Sequence, residues 1–232
     1  MKFYHTGDAG DIMAALPVMR QLGGGDLVIG AGKRGTIREP MKGARYEAIR
    51  PLLEAQPYIK SVCYDEHPEG VTHDFSRFRE LDETLGQNLA SWQARYFGRG
   101  VDLSPWISLT RKVLKTGKTL FARSPRYHNP EFPWKELLAK HKENSRFVGF
   151  GVEIEEFRNE FGPIQHIPTT DLLHLAEMIA GCDLFIGNQS CPCWIAMGLG
   201  VPVIQEVWPE HPNSIIPRSN SQFIFTKSQL HC

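Results

Sequence analysis

The amino-acid sequence predicts an α/β protein made of two units, each a parallel sheet with helices on both faces. Short apolar runs with the length and composition of buried strands recur along the whole chain. Segments with apolar residues at helical spacing lie between these runs, and the alternation occurs in both halves. Because parallel strands need long crossover connections, this alternation is typical of parallel sheets covered by helices.

The first half begins with a clear strand and helix and becomes less regular towards its end. KFYHT is predicted as the first strand, and the next segment as a helix that ends at three glycines, residues 23–25. The apolar face of this helix consists of Ile12, Ala15, Leu16 and Met19. The next predicted elements are the strand DLVIGAG, the helix IRPLLEAQP and the strand IKSVCYD. Residues 72–112 are polar and aromatic-rich, and only helical pieces around 78–98 are predicted there.

The second half alternates more regularly. Its predicted strands are KTLFARS, RFVGFG, DLFIGN, PVIQEV and QFIFT, and its predicted helices are PWKELLAKHKEN, TTDLLHLAEMIAGC and SCPCWIAMGLG. Thr169 or Thr170 is expected to cap the second of these helices. We place the boundary so that the first Rossmann-like unit spans residues 1–114 and the second spans residues 115–232.

Composition excludes several classes of protein. The 232 residues contain 26 Lys and Arg against 26 Asp and Glu, so the bulk charge does not call for nucleic acid or an anionic membrane. No apolar run approaches the roughly 20 residues of a membrane helix, and the first residues do not form a signal peptide. Five scattered cysteines do not form a disulfide framework. These observations predict a cytoplasmic globular protein.

Candidate ligand-binding residues follow the predicted strands, because parallel α/β sheets bind ligands beyond the carboxyl ends of their strands. The first is the turn GDAGD, which contains Asp8, Gly10 and Asp11 and leads into the first helix. Glycine permits close approach of the backbone, and a helix N-terminus favours an anion. The aspartates have two open interpretations. They are helix caps, or one of them is a general base that faces a cleft.

Two more candidate loops follow the first two strands of the second half. Arg123, Ser124 and Arg126 follow KTLFA, and an arginine fork suits phosphate oxygens; the alternative is a solvated loop. Glu153 lies in the segment 151–157 after RFVGFG. We expect this segment to be a loop whose carboxylate reads a ribose or a base edge.

The last two candidate segments follow DLFIGN and PVIQEV. In the former, Gly-Asn and small polar residues open a helix and can present unpaired N–H groups to a diphosphate. The alternative is an ordinary N-cap by Ser190. Glu206, at the end of PVIQE, is interpreted either as a hydroxyl-binding residue or as a surface residue.

Metal-binding patterns are absent from the sequence. There is no D-x-D and no H-E-x-x-H, and the Cys191-Pro192-Cys193 segment has no second Cys or His pair at zinc spacing. The sequence therefore predicts no metal site and no cofactor. Without a local histidine to activate them, Cys191 and Cys193 are interpreted as packing residues.

Two of these segments resemble glycosyltransferase family 9, the ADP-heptose:lipopolysaccharide heptosyltransferases. GDAGDIMAALPVMRQL resembles the opening of that family, with a Gly-Asp turn, an apolar helix and Leu-Pro inside it. TTDLLHLAEMIAGCDLFIGNQSCPCWIAMGLGVPVI resembles its C-terminal signature, a helix followed by A-D-L-x-I-G-N-D-S-G-P-x-H-L-A and G-V-P. The resemblance covers the first twenty-odd residues and roughly residues 165–205.

The resemblance implies a GT-B fold, in which two Rossmann-like domains face each other across a cleft, here with a trimmed N-terminal domain. It implies inverting, metal-independent transfer of a sugar from a nucleotide diphosphate. Asp11 matches the family's candidate base, with Asp8 second to it. The donor loop matches Gly187, Asn188, Gln189, Ser190, Cys191 and Pro192. Three positions depart from the family: Gln189 replaces an aspartate, Cys191 a glycine and Trp194 a histidine.

These observations lead to one main hypothesis and two alternatives. The main one is a hexosyl or heptosyl transferase that takes a nucleotide-linked sugar, with ADP as the first nucleotide to test, to the hydroxyl of a glycan or another acceptor. The first alternative is the same fold acting on a modified nucleic-acid base, suggested by basic and aromatic residues in 92–115. These are Trp92, Arg95, Tyr96, Arg99, Trp106, Arg111, Lys112 and Lys115. The second is a nucleotide-binding protein without catalysis, suggested by Gln189 and Trp194.

Overall fold

The computed structural model describes residues 1–31, 41–81, 88–111, 113, 115, 116 and 118–231. Lys112, one of the predicted basic residues, lies outside them. The described residues form two sheets, and every pair of neighbouring strands in both sheets is parallel. The predicted α/β fold class of two parallel-sheet units with helices is confirmed.

The first sheet has four strands in the order β3-β2-β1-β4. Its strands are β1 (Lys2–His5), β2 (Gly25–Ile29), β3 (Ile59–Tyr64) and β4 (His73–Asp74). The helices of this unit are α1 (Ala9–Gln21), α2 (Ala44–Glu54) and α3 (Leu89–Tyr96), and a 3₁₀ helix spans Phe75–Glu80. The strand β4 is too short to produce an alternating pattern, and the sequence therefore did not predict it.

The second sheet has six strands in the order β10-β9-β8-β5-β6-β7. Its strands are β5 (Thr119–Ala122), β6 (Ser145–Gly149), β7 (His166–Pro168), β8 (Leu184–Asn188), β9 (Val203–Glu206) and β10 (Ser221–Ile224). The helices are α4 (Trp134–His141), α5 (Gly151–Phe161), α6 (Leu172–Gly181) and α7 (Cys191–Leu199), with 3₁₀ turns at Lys142–Asn144 and Lys227–His231. Counted from β5, this is the strand order of dinucleotide-binding folds.

The strand order reverses at one point in each sheet. In the first sheet the reversal lies between β1 and β4, and in the second it lies between β5 and β8. Connections on the two sides of such a point lead to opposite faces of the sheet, which opens a crevice at the carboxyl ends of the strands. The loops after β1, β4, β5 and β8 are therefore the ones positioned to hold a ligand.

The two units share one apolar core. Helix α1 packs against α7, and α2 packs against α6. One cluster of buried side chains includes Ile12 and Leu16 of α1 together with Leu175 of α6 and Ile195 of α7. A second cluster lies on the other face of the six-stranded sheet, around Trp134 and Phe157. Because helices of both units contribute to the same core, the wall between the units is a packed interface below the crevice.

Three local predictions differ from the structure. Asp171, and not Thr169 or Thr170, caps α6, because its carboxylate accepts the N–H of His174 at 2.8 Å. The segment 151–157, predicted as a loop, forms the first turns of α5, since Ile154 and Phe157 are buried at helical spacing. Glu206 is the last residue of β9 and is fully buried, so its interpretation as a surface residue is wrong. The boundary at 114/115 falls between α3 and β5.

Candidate functional site

A cavity of about 900 Å³ lies between the two units, where the carboxyl ends of both sheets meet. Its wall contains residues from the turn before α1, from the starts of α2, α5 and α7, and from the loop after β5. The sequence-predicted residues that line it are Asp8, Gly10, Asp11, Ser124, Arg126, Glu153, Gln189, Ser190, Cys191 and Pro192. Four other predicted residues do not line it: Arg123, Gly187, Asn188 and Glu206.

The two aspartates lie at the N-terminus of α1 and face three arginines. Asp8 occupies the N-cap position, and Asp11 accepts the N–H of Asp8 at 3.2 Å through Oδ2. The guanidinium of Arg79 donates to the same Oδ2 at 2.8 Å, while Arg45 and Arg126 contact the carboxylate of Asp8 at 3.0 and 3.5 Å. The aspartates therefore organise the helix start and also line the cavity, which leaves the interpretation of one of them as a general base open.

The turn that carries Asp11 is held from below by buried polar groups. The N–H of Gly7 donates to Nδ1 of His5 at 2.8 Å, and burial lowers the pKa of His5 to about 4, so the imidazole is neutral. A Cβ on Gly7 would lie 2.5 Å from His5 Cε1 and 2.7 Å from Asp11 Cβ, so only glycine fits there. The side-chain amide of Gln93, on α3, donates to the backbone carbonyl of Asp11 at 3.0 Å. These contacts fix the direction in which the Asp11 carboxylate points.

The N-terminus of α7 forms the opposite wall. Ser190 is its N-cap residue, but the Ser190 side chain makes no hydrogen bond to the amides of the first turn and donates to the carbonyl of Asn188. The alternative that Ser190 is an ordinary N-cap is therefore wrong, because its side chain does not cap the helix. A Cβ on Gly10 would lie 3.7 Å from the backbone nitrogen of Cys191, so the first turns of α1 and α7 are in contact. Two positive helix ends converge on one cavity.

Asn188 lies beneath the cavity and orients the loop after β5. It is fully buried, and its Oδ1 accepts the N–H of Ser124 at 3.1 Å. Its Nδ2 donates to the carbonyls of Ser124 and Arg126. Gly187 is inside β8, beside Ala122 of β5. Asn188 thus positions two cavity residues without lining the cavity itself.

Arg123 and Glu206 form a buried ion pair behind the same loop. Arg123 Nε lies 3.2 Å from Glu206 Oε2, and Arg123 Nη1 lies 2.6 Å from Glu160 Oε2. The other oxygen of Glu206 accepts the N–H of Asn129 at 2.7 Å. Burial raises the pKa of Glu206, whereas the contacts with Arg123 and with Asn129 act in the opposite direction. These two side chains are engaged in holding the β5 loop to β9 and α5.

Glu153 lines the cavity at the carboxyl end of β6. It lies in the first turn of α5, and its carboxylate accepts the N–H of Phe150 at 3.0 Å. Burial raises the pKa of this carboxyl. The exposed ring of Phe150 stands beside it at the cavity wall. A half-buried carboxylate next to an exposed aromatic ring suits a ligand with hydroxyl groups and a flat ring.

Cys191 and Cys193 differ in position but not in reactivity. Cys191 lines the cavity, and Cys193 is part of the shared core. Burial raises the pKa of the Cys191 thiol to about 12 and also raises the pKa of the Cys193 thiol. Both thiols are therefore protonated at neutral pH, which does not favour a nucleophilic role.

Several cavity residues were not predicted from the sequence. Arg79 follows β4 in the stretch where periodicity is weak, and Arg45 lies at the start of α2. Tyr127 has a φ of 60°, which is uncommon for a residue other than glycine, and its ring lies 5.4 Å from that of Trp208. The signal that could have identified Arg79 is its place after a strand at the reversal point, but recognising β4 requires its partner β1.

The basic and aromatic residues at 92–115 differ in exposure in the described part of the chain, and Arg95, Arg99 and Arg111 are exposed. Trp106 is buried in the core, and Trp92 borders the cavity. Lys115 donates to the carbonyls of Ala180 and Cys182. These residues serve different parts of the fold.

Neither a metal cluster nor a membrane helix is found among the residues that the structure describes. No three His, Cys, Asp or Glu side chains there are grouped in a way that could hold a metal ion. None of the helices there has the length and apolarity needed to cross a bilayer.

Comparison with known proteins identifies the fold. No protein-family model matches the chain, and no curated protein matches its sequence. The structure is similar to E. coli heptosyltransferase WaaC with ADP-2-deoxy-2-fluoro heptose, with a TM-score of 0.61 and 12% identity over 99% of this chain and 96% of that one. It is also similar to a family 9 glycosyltransferase from Veillonella parvula, with a TM-score of 0.62 and 14% identity over 96% and 85% of the two chains.

A third similar structure belongs to a larger protein. This is the iron-containing dodecameric glycosyltransferase TibC from enterotoxigenic E. coli, with a TM-score of 0.58 and 12% identity over 96% of this chain and 62% of that one. The described chain thus has the GT-B-type fold of heptosyltransferases and family 9 glycosyltransferases, as the two sequence segments predicted.

Proposed function

We propose that this chain is a metal-independent, inverting glycosyltransferase that moves a hexosyl or heptosyl group from a nucleotide diphosphate to an acceptor hydroxyl. The observation that carries the proposal is the pairing of two walls in one cavity. One wall presents the Asp11 carboxylate, and the other is the N-terminus of α7 with Arg126 beside it. A base and an anion-binding wall are the two parts that displacement of a diphosphate by a hydroxyl requires.

The donor would lie against the second unit. Its diphosphate would accept hydrogen bonds from the first turn of α7 and from Ser124 and Arg126, which line the cavity there. Glu153 would accept hydrogen bonds from hydroxyl groups of the nucleoside, and Phe150 would cover its base. WaaC was solved with an ADP-linked sugar analogue, which makes ADP the first nucleotide to test.

The reaction follows from this placement. Asp11 takes the proton from the acceptor hydroxyl, whose oxygen attacks the anomeric carbon from the face opposite the diphosphate. The bond between that carbon and the diphosphate oxygen breaks, and the electron pair leaves with the diphosphate. Positive charge from Arg126 and from the α7 N-terminus stabilises the leaving group. Arg79 holds Oδ2 of Asp11 without a substrate, so the acceptor must compete with this ion pair.

The experiment that tests the proposal is a thermal-shift screen of nucleotides and nucleotide sugars, followed by donor hydrolysis and transfer assays with EDTA present. A ligand at 100 times its Kd stabilises a protein by about 2.7 kcal/mol, or roughly 5–10 °C for a chain of this size. We expect such a shift with ADP or an ADP-sugar. A screen without any nucleotide-dependent shift would contradict the proposal. Binding without turnover of any donor would favour a nucleotide-binding protein without catalysis.

Arg126→Ala is expected to weaken ADP binding by about tenfold or more. A hydrogen bond to a charged group contributes about 1.5–3 kcal/mol, and the guanidinium is placed to donate to the diphosphate. Isothermal titration calorimetry at two salt concentrations measures the effect, and the loss of a cation should also flatten the salt dependence. Arg77→Ala is the matched control, because Arg77 is exposed and outside the cavity wall. Equal ADP affinities of the wild type and Arg126→Ala would show that Arg126 does not bind the diphosphate.

A further inference from the structure

The side chain of Gln189 borders the cavity, and its amide is hydrogen-bonded to groups of the chain itself. It stands where the family signature has an aspartate, and it is only 5% exposed. Its Nε2 donates to the carbonyl of His211 at 2.8 Å and to Oδ1 of Asn213 at 3.3 Å. Its Oε1 accepts the backbone N–H of Trp208. An amide has two N–H bonds, and both are used within the chain.

The partners of Gln189 require an amide at this position. Two of them are acceptor oxygens and one is a donor, a set that only a group with both N–H and C=O can satisfy. A carboxylate could accept the N–H of Trp208. It has no N–H to donate, so its oxygens would repel the acceptor oxygens of His211 and Asn213. The segment 208–213, which follows β9, therefore supplies the hydrogen-bond partners that suit a glutamine in place of the family's aspartate.

The segment 208–213 connects the donor loop to the wall that carries Asp11. Its last residue, Asn213, lines the cavity, and the Asn213 carbonyl accepts the N–H of Leu89, the first residue of α3, at 2.8 Å. One turn further along α3, Gln93 donates to the carbonyl of Asp11. At the other end of the segment, the ring of Trp208 packs at a tilt of 39° against the ring of Tyr127, which has a left-handed backbone conformation.

We propose that Gln189 is a positioning residue that holds the segment 208–213 against the start of α3, and that it makes no hydrogen bond to the donor sugar. The catalytic consequence of this role rests on the proposed function. The donor loop then presents no carboxylate to the sugar, and the sugar is bordered by Asn213 and Tyr127 instead. The hydrogen-bonding role is a property of the folded chain and can be measured without any substrate.

Hydrogen exchange of Gln189→Glu tests the proposal. The substitution keeps the shape of the side chain but removes both N–H donors. We expect the amide of Leu89 to exchange at least tenfold faster, because the segment 208–213 is no longer held at His211 and Asn213. The amide of Val148 in β6 should keep its rate. Gln222→Glu is the matched control, because Gln222 is exposed on β10 and the charge change is the same. If Gln189→Glu does not fold, Gln189→Met removes both donated bonds and also the bond from Trp208 without adding a charge, and the amides of Trp208 and Leu89 should then both exchange faster.

Unchanged exchange at Leu89 in a folded variant would overturn the proposal. Kinetic measurements on Gln189→Glu separate a positioning role from a direct contact with the sugar, provided that the wild type turns over an ADP-sugar. A positioning role lowers kcat by tenfold or more and changes the affinity for ADP and for the ADP-sugar by the same factor. A direct contact with the sugar would weaken the ADP-sugar selectively and leave exchange unchanged. Absence of nucleotide binding by the wild type would refute the proposed function alone, because the exchange result does not depend on it.

Discussion

Asp11→Asn is expected to lower glycosyl transfer by about 10²–10⁴-fold and to leave ADP affinity within about threefold of the wild type. A general base contributes a factor of this size, and an amide cannot take the proton of the acceptor hydroxyl. Asparagine keeps the size of the side chain and an oxygen that can accept the N–H of Asp8. Single-turnover assays with a saturating donor, together with calorimetric titration of ADP, measure the two quantities.

Asp8→Asn is the matched control for Asp11→Asn. Asp8 lines the same cavity and pairs with Arg45 and Arg126, but it is the N-cap residue, whereas Gln93 donates to the backbone carbonyl of Asp11. We expect it to change donor affinity through Arg126 more than it changes the chemical step. If Asp11→Asn retained near-normal turnover, the base would have to be another group, and the proposed role of Asp11 would be wrong.

Arg123→Ala is expected to destabilise the protein by about 3–5 kcal/mol, because it leaves the Glu206 carboxylate buried without its guanidinium partner. Glu206→Ala should cost less, because Arg123 keeps its contact with Glu160 at 2.6 Å. Arg123 is 8% exposed and Glu206 is 0% exposed, so water cannot replace the missing group. For a chain of this length the loss corresponds to a fall in Tm of roughly 6–20 °C. Arg123→Ala and Glu206→Ala, followed by thermal and urea unfolding, measure it.

The double variant Arg123→Ala/Glu206→Ala should lose less stability than the sum of the two single variants, since it leaves neither charge unpaired. Arg50→Ala supplies the exposed comparison. Arg50 pairs with Glu47 and Glu54 on the surface of α2, where such pairs contribute at most about 1 kcal/mol. A change below about 1 kcal/mol for Arg123→Ala would show that the buried pair does not stabilise the loop after β5.

The regular elements of the second unit could be predicted closely because their local patterns agree with their tertiary environment. The apolar residues of α6 recur every three or four positions, and the strands β8 and β9 are buried on both faces. Such patterns depend only on residues that are close together in the sequence. The cap of α6 was assigned one or two residues too early, because Thr169, Thr170 and Asp171 are all capping residue types, and only the chain direction at the helix start selects among them.

The cavity could be predicted only in part. Asp11 and the N-terminus of α7 each follow a strand and belong to the two segments that resemble family 9. The resemblance therefore predicted that they would face the same cleft. The arginines and Gln93 come from α2, from the 3₁₀ helix and from α3, and nothing in their local sequence marks them as neighbours of Asp11. Their placement depends on β4 pairing with β1, a contact between residues some 70 positions apart.

The sequence by itself determined the fold class, most of the strands and helices that carry it, and the two loops that meet in the cavity, because hydrophobic periodicity and helix-start residues act over a few neighbouring positions. The elements β4, β7 and α5 were not predicted. Only the tertiary structure decided what the polar side chains do. Arg123 and Asn188 are residue types that often bind ligands. Here their side chains are hydrogen-bonded to residues of distant segments of the same chain. Whether a polar group faces a ligand or a buried partner depends on which strands are adjacent, and that is set when the chain folds.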